Sequence, residues 1–150
     1  MKLLRVIPAL VLLVLAGAWL GGCSTTYQRA GVHVTLLDVA VGADNNAVLN
    51  LQLQNENIVA VAVTRTEFKV TFNGAPYGLA VGTKPVALPE LGTVRHEAVL
   101  KLADPAAAAR LRSALAAGPV TYGLDFRLRC DVGEEELVLT ATAQGQTTGR

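Results

Sequence analysis

The stretch Leu49 to Gly74, LNLQLQNENIVAVAVTRTEFKVTFNG, admits few folds. Leu49, Leu51 and Leu53 alternate with Asn50, Gln52 and Gln54, the two-residue period of a strand buried on one face and wet on the other. Asn55-Glu56-Asn57 stops that strand, because Asn side chains bond their own backbone and tolerate turn conformations. Past this corner Val59, Val61 and Val63 alternate and the parity changes at Thr64. Thr66, Phe68, Val70 and Phe72 then face inward, with Arg65, Glu67, Lys69 and Thr71 outward. A one-residue slip in parity requires a bulge beside the corner. Asn73-Gly74 closes the segment as the strongest short hairpin signal, since a type I′ turn needs positive φ at both central residues.

The rest of the chain repeats this pattern. Val32 to Val41 reads as a strand with a fault: Val32, Val34 and Leu36 share one face and Leu37, Val39 and Val41 the other, so a bulge is expected at Leu36-Leu37. Gly42 to Asn46 is a turn by composition. Ala75 to Val81 is a short return strand whose Pro76 suits a sheet edge, and Gly82 to Gly92 reads as a loop. Thr93 to Leu102 alternates again, with Val94, His96, Ala98, Leu100 and Leu102 on one face. The period then changes: Asp104 as N-cap, Pro105 in the first turn, an Ala-rich run to Ala117 and Gly118 as stop predict one helix over 105–117. Its apolar stripe is Leu111 and Leu115 with Ala107, Ala108 and Ala114, leaving Arg110 and Arg112 to water, and it is expected to plug an end of the fold or cover an edge.

Val120 to Cys130 places Tyr122, Leu124, Phe126, Leu128 and Cys130 inward, Asp131 to Glu136 turns, and Leu137 to Ala143 returns with Leu137, Leu139, Ala141 and Ala143 inward. About seven strands and one helix imply a mainly β chain, an antiparallel β-sandwich of immunoglobulin or fibronectin type III appearance over 32–144. Residues 145–150 read as a flexible tail. The tryptophan and disulfide of antibody domains are missing, the only Trp being Trp19.

Hydrophobic residues make up 51% of the chain, but much of this lies in one N-terminal block. Lys2 and Arg5 precede the apolar run Val6 to Leu20, shorter than the roughly twenty residues that a spanning helix needs, and small residues follow. This is the pattern of a secretory leader. Leu20-Gly21-Gly22-Cys23 resembles a bacterial lipoprotein box. The resemblance implies that residues 1–22 are cleaved off after Gly22, that Cys23 receives diacylglycerol and further acylation such as palmitate, and that 23–31 is a lipidated tether. Two or more acyl chains anchor stably where one does not. Ser24, where an aspartate would resemble an inner-membrane retention signal, favours the outer membrane, so the expected address is the bacterial cell envelope, facing the periplasm.

Charge excludes one class of partner. The chain has 13 Lys and Arg against 12 Asp and Glu, and Lys2 and Arg5 leave with the leader, so no basic face for nucleic acid is implied. His33, His96, Cys130 and Asp131 form the only soft-metal set, without the close ligand pair that zinc sites use. No metal or cofactor is expected. His96 reads as a satisfied histidine at the rim, Cys130 as a small buried hydrophobe, and Glu134-Glu135-Glu136 as a solvated turn. Arg65, Lys69, Arg127 and Arg129 read as cross-strand partners of Glu67 and Asp125.

Several segments together resemble the late embryogenesis abundant (LEA) type 2 family, also called the water-stress and hypersensitive-response (WHy) domain. The family has an alternating strand ending in Asn-Pro-Asn where this chain has Leu49 to Gln54 and Asn55-Glu56-Asn57. Phe68 to Gly74, the proline-containing loop before Thr93, and the helix leading into Val120-Thr121-Tyr122 also match. Glu56 departs from the central proline, with both flanking asparagines kept. The resemblance implies a fibronectin-like sandwich and an association with desiccation or envelope stress, with no catalytic residues. The expected role is non-enzymatic: a lipid-anchored stress-protection or chaperone-like module, or else an adaptor that recruits another envelope protein through a sheet edge.

Overall fold

A computed structural model describes residues 31–132 and 135–150. The leader, Leu20, Gly21, Gly22, Cys23, the tether to residue 30 and Glu134 lie outside the described residues. Eight strands and one helix follow in order: β1 (Val32–Val41), β2 (Asn46–Asn55), β3 (Val61–Phe72), β4 (Ala75–Gly82), β5 (Val86–Leu88), β6 (Thr93–Lys101), α1 (Pro105–Ala117), β7 (Val120–Val132) and β8 (Glu135–Gly149).

The chain is mainly β, but the expected sandwich is replaced by closure. The strands run β4-β6-β2-β1-β8-β7-β3, and β3 also pairs with β4, so seven strands form a barrel. Two junctions decide this. The β3–β4 hairpin swings its far end onto β6, where Ala80 faces Leu100 and Val81 faces Val99. At the other junction β8 meets β1 in parallel, Asp38 opposite Thr148 and Val39 opposite Gly149. A sandwich and a barrel need the same inward-outward alternation, so alternation alone does not separate them.

Three expectations change accordingly. β4 is a joining strand rather than an edge, and Pro76 sits in the half that pairs with β3 alone, opposite Thr71. The presumed loop 82–92 contains β5, which continues along the same side of β3 by pairing Val86–Leu88 with Val61–Val63. The presumed tail is the closing strand: Gln144 to Thr147 stay in register with Gly123 to Val120. Thr147 is buried and its hydroxyl donates to Leu37 O at 3.2 Å. The first part of β8 also departs from expectation, since Leu137 and Ala141 are exposed and Leu139 and Ala143 only half-buried.

The interior follows the alternation elsewhere. Leu49, Leu51, Leu53, Phe68, Leu100, Leu124 and Leu128 are among its fully enclosed side chains, and Phe68 meets Phe126 at 6.2 Å between ring centres. Two register shifts, between Leu36 and Asp38 and between Val63 and Arg65, fall where apolar parity changes; a third, between Val70 and Thr71 on the β3–β4 ladder, does not. Phe72 pairs with Ala75 around Asn73 (φ 50°) and Gly74 (φ 77°), the two positive φ values of a type I′ turn.

Helix α1 connects β6 to β7, strands on opposite sides of the barrel, and so crosses its mouth. Asp104 Oδ1 accepts from Ala107 N at 2.6 Å, as an N-cap does. Ala107, Ala108 and Leu111 enter the core. Arg112 is exposed, as expected, and from the surface donates to Gly42 O, fixing the helix to the β1–β2 turn. This is the helix end; the Asn55-Glu56-Asn57 corner occupies the opposite one. Among the described residues no helix is long and apolar enough to cross a membrane.

Candidate functional site

The corner end is built around Asn55, a side chain 1% exposed at the last position of β2. Burying a carboxamide costs free energy unless its donors and acceptor are matched, and here they are. Nδ2 donates to Val59 O and Pro89 O, each at 2.9 Å, with Leu88 O at 3.4 Å. Oδ1 accepts from Asn57 N at 2.9 Å and Asn57 Nδ2 at 2.8 Å. Backbone bonds extend the same junction: Asn55 N donates to Gly92 O at 2.8 Å and Leu91 N to Asn57 O at 3.0 Å. One asparagine therefore clamps the loop after β2 to the loop after β5.

The departure at Glu56 has a local reason. Its N–H donates to Gly31 O at 2.6 Å, a bond that proline could not make. Its carboxylate lies 3.0 Å from His33 Nε2 on the surface. The chain thus enters the barrel at the corner, held by Glu56. Asn57 Nδ2 also donates to Gly31 O, at 3.4 Å.

The loop after β5 holds a conflict between sequence and conformation. Gly92 N donates to Pro89 O at 3.1 Å, a four-residue turn with Glu90 and Leu91 at its centre. Leu91 has φ 49°. Positive φ at the third position is the type II geometry, which wants Gly or Asn; a bulky residue there stores about 1–3 kcal/mol. Yet Leu91 is 68% exposed and is joined by Ile58 at 78% and Val59 at 53%. Three large apolar side chains thus stand in water on two interlocked loops. Val59 was expected to continue the inward alternation, and no periodic pattern marks Ile58 or Leu91. The only sequence signal is a leucine sitting one residue before the glycine that would suit its turn.

The other candidates are dispersed. His33 is on the surface with Glu56. His96 lies inside the wall, with Nε2 3.0 Å from Thr66 Oγ1, and burial pulls its pKa below the ordinary histidine value despite the opposing field of Glu97. Gly82 is required beside this pair, since a Cβ there would collide with His96 Nε2 and Thr66 Oγ1. Cys130 is fully enclosed; burial, reinforced by Asp131, pushes its thiol up to about 11, so little nucleophilic thiolate exists at neutral pH. Among the described residues no three of His, Cys, Asp and Glu gather closely enough to hold a metal ion. On the outer wall Glu67 faces Arg127 and Lys69 faces Asp125 in register, but the ion pairs formed are Arg65–Glu67 at 2.9 Å along β3 and Arg129–Glu136 at 3.4 Å across the β7–β8 hairpin.

Two further features were not legible beforehand. Asn73, besides turning the hairpin, accepts from Thr121 N at 3.0 Å and Thr121 Oγ1 at 3.1 Å, locking the turn to the start of β7. Between β1 and β8 the ladder is only two residues long. Toward the corner the strands separate around an open groove of ≈ 820 Å³ that includes Val32, Val34, Ala141, Ala143 and Gln146. Tyr122 bridges its closed end, its hydroxyl accepting from Leu36 N at 3.2 Å.

No family model matches the sequence, and no curated protein matches it. Solved structures do resemble it. The solution structure of At2g46140.1, assigned to the late embryogenesis abundant (LEA) proteins, aligns with 97% of this chain and 86% of its own, with 16% identity and a TM-score of 0.52. The solution structure of AT1g01470 from Arabidopsis thaliana aligns with 77% of this chain and 79% of its own, with 16% identity and a TM-score of 0.51. At such identity the likeness is one of fold: this chain is built like solved structures that include an LEA protein.

Proposed function

We propose that the protein is a non-enzymatic module of the LEA type 2 (WHy) kind, lipid-anchored through Cys23 in the bacterial envelope and acting in protection against drying or osmotic stress. The observation that carries the reading is fold likeness to an LEA protein over nearly the whole chain, together with the Asn55–Asn57 corner that closes β2 at the place of the family motif. The leader and lipobox motivate the anchor. The polar groups of the interior are spent on structure: His96 on Thr66, Asn55 on two loops. The test combines two measurements. Cells lacking the gene should survive desiccation and osmotic shock less well, and the purified protein should preserve the activity of a drying-labile enzyme. Unchanged survival with no protection in the tube would refute the proposal.

A second reading, an envelope adaptor, draws on the β1–β8 groove. From Glu135 to Gln146 β8 pairs with β7 on one side and has no ladder with β1 on the other, so it offers an edge to an added strand. Crosslinking from an unnatural side chain at Thr142 should capture one reproducible partner, and Ala141→Pro should abolish that capture. A crosslink pattern no different between the two proteins would sink this reading.

A further inference from the structure

We infer that the corner end is a bilayer-contacting tip, in which Ile58, Val59 and Leu91 enter the headgroup–acyl boundary of the membrane that holds the N-terminal lipid. The inference rests on the anchored reading and adds to it an orientation and a contact surface.

Three observations converge on this end. Ile58, Val59 and Leu91 are 78%, 53% and 68% exposed, on loops tied together by Leu91 N to Asn57 O and by the Asn55 amide. Apolar side chains on a braced tip can enter a bilayer without ordering a flexible loop first. Leu91 also adopts φ 49°, a backbone that asparagine or glycine would hold without strain. Keeping a large apolar side chain there, outward, works against the stability of the free protein, and such outliers point to function. The chain itself then says what covers the tip. Gly31 O is bonded to Glu56 N at the corner, and Cys23 stands eight Cα-to-Cα steps from Gly31, a reach of at most about 28 Å. A lipidated Cys23 therefore holds this end, not the helix end, within one tether length of the bilayer. The charged residues on these loops, Glu56 and Glu90, are acidic, so the matching surface is zwitterionic and the contact is apolar rather than a basic patch drawn to anionic lipid.

The test uses the full chain, processed in cells and reconstituted into phosphatidylethanolamine–phosphatidylcholine vesicles that carry lipid with a doxyl quencher at the upper acyl chain. Trp19 lies in the leader, so in a Trp19→Phe background Leu91→Trp supplies one reporter at the tip and Val99→Trp one on the barrel wall. With a tip seated about 5–10 Å into the boundary, quenching at Leu91→Trp should exceed that at Val99→Trp by about twofold or more. It should also stay unchanged when anionic lipid or salt is added. Mass spectrometry of the same sample reads acylation. An acylated Cys23 with equal quenching at the two sites overturns the tip contact alone. An unmodified Cys23 overturns the anchored reading and, with it, the bilayer as the occupant. Leu91→Asn separates contact from folding: it should raise the thermal midpoint by about 4–12 °C while weakening quenching at a Val59→Trp reporter. A lowered midpoint, or a Val59→Trp signal that does not move, would count against the tip.

Discussion

Replacing Asn55 tests whether the corner is a clamp. In Asn55→Ala the two carbonyls at 2.9 Å, Val59 O and Pro89 O, lose this donor, and Asn57 loses the Asn55 oxygen that accepts from its N and Nδ2. Each such bond is worth about 0.5–1.5 kcal/mol net, and carbonyls left buried cost more than those water can reach. Val59 is half in water, so its carbonyl is partly resolvated, while Leu88, whose carbonyl also faces the amide, is fully enclosed. The expected loss is about 2–4 kcal/mol. For a domain of this size that lowers the thermal midpoint by roughly 8–16 °C. Asn55→Asp sharpens the test because it keeps the acceptor for Asn57 N and replaces the donating amide with an oxygen facing three carbonyls. Burial and those carbonyls favour the neutral acid, so the folded pKa lies above the unfolded value of about 3.9. The folded state then holds its proton more tightly, and stability falls as pH rises from about 3.9 through the folded pKa. Urea melts followed by far-UV circular dichroism, at pH 4 and pH 7 against wild type, read both effects. A cost below about 0.5 kcal/mol for Asn55→Ala, or an Asn55→Asp penalty no larger at pH 7 than at pH 4, would refute the clamp.

Other outcomes follow from the same structure. Glu56→Pro, which restores the residue of the Asn-Pro-Asn pattern, should destabilise by about 0.5–2 kcal/mol, because the lost bond to Gly31 O outweighs the chain stiffening; a raised urea midpoint would contradict this. Truncation after Gly145 removes the β1–β8 ladder and the Thr147 bond to Leu37 O and should cost about 3 kcal/mol or more, where a dispensable tail would cost nothing measurable by the same melts. His96 carries a lowered pKa, so protonation favours the unfolded chain and stability should fall as pH drops below about 6.5. His96→Gln should remove that slope, and a mutant whose pH profile in urea melts parallels wild type would show that another group is responsible.

Apart from β5, which reads as loop, the order of strands, most of their faces and two of their faults were legible because each is a local property. Leu49, Leu51 and Leu53 against Asn50, Gln52 and Gln54 state a face; Leu36-Leu37 and Thr64 state where that face slips; Asp104, Pro105 and Gly118 state where a helix starts and stops. The same reasoning misjudged β8. Its outer half is exposed at Leu137 and Ala141, and its last residues, polar and Gly-rich, carry the parallel contact that closes the barrel. Closure depends on which distant strands meet, and Thr147 finding Leu37 across a separation of 110 residues leaves no periodic trace. The tip was hidden for the same reason. Asn55 announces a strand end by its own chemistry, but that it also holds the loop of Leu91, and that the chain enters the barrel beside them at Gly31, are facts about proximity between segments. Residue type and spacing determined the elements; tertiary structure alone decided their closure and the company each end keeps, because backbone and side-chain bonds between remote segments are set by position in space.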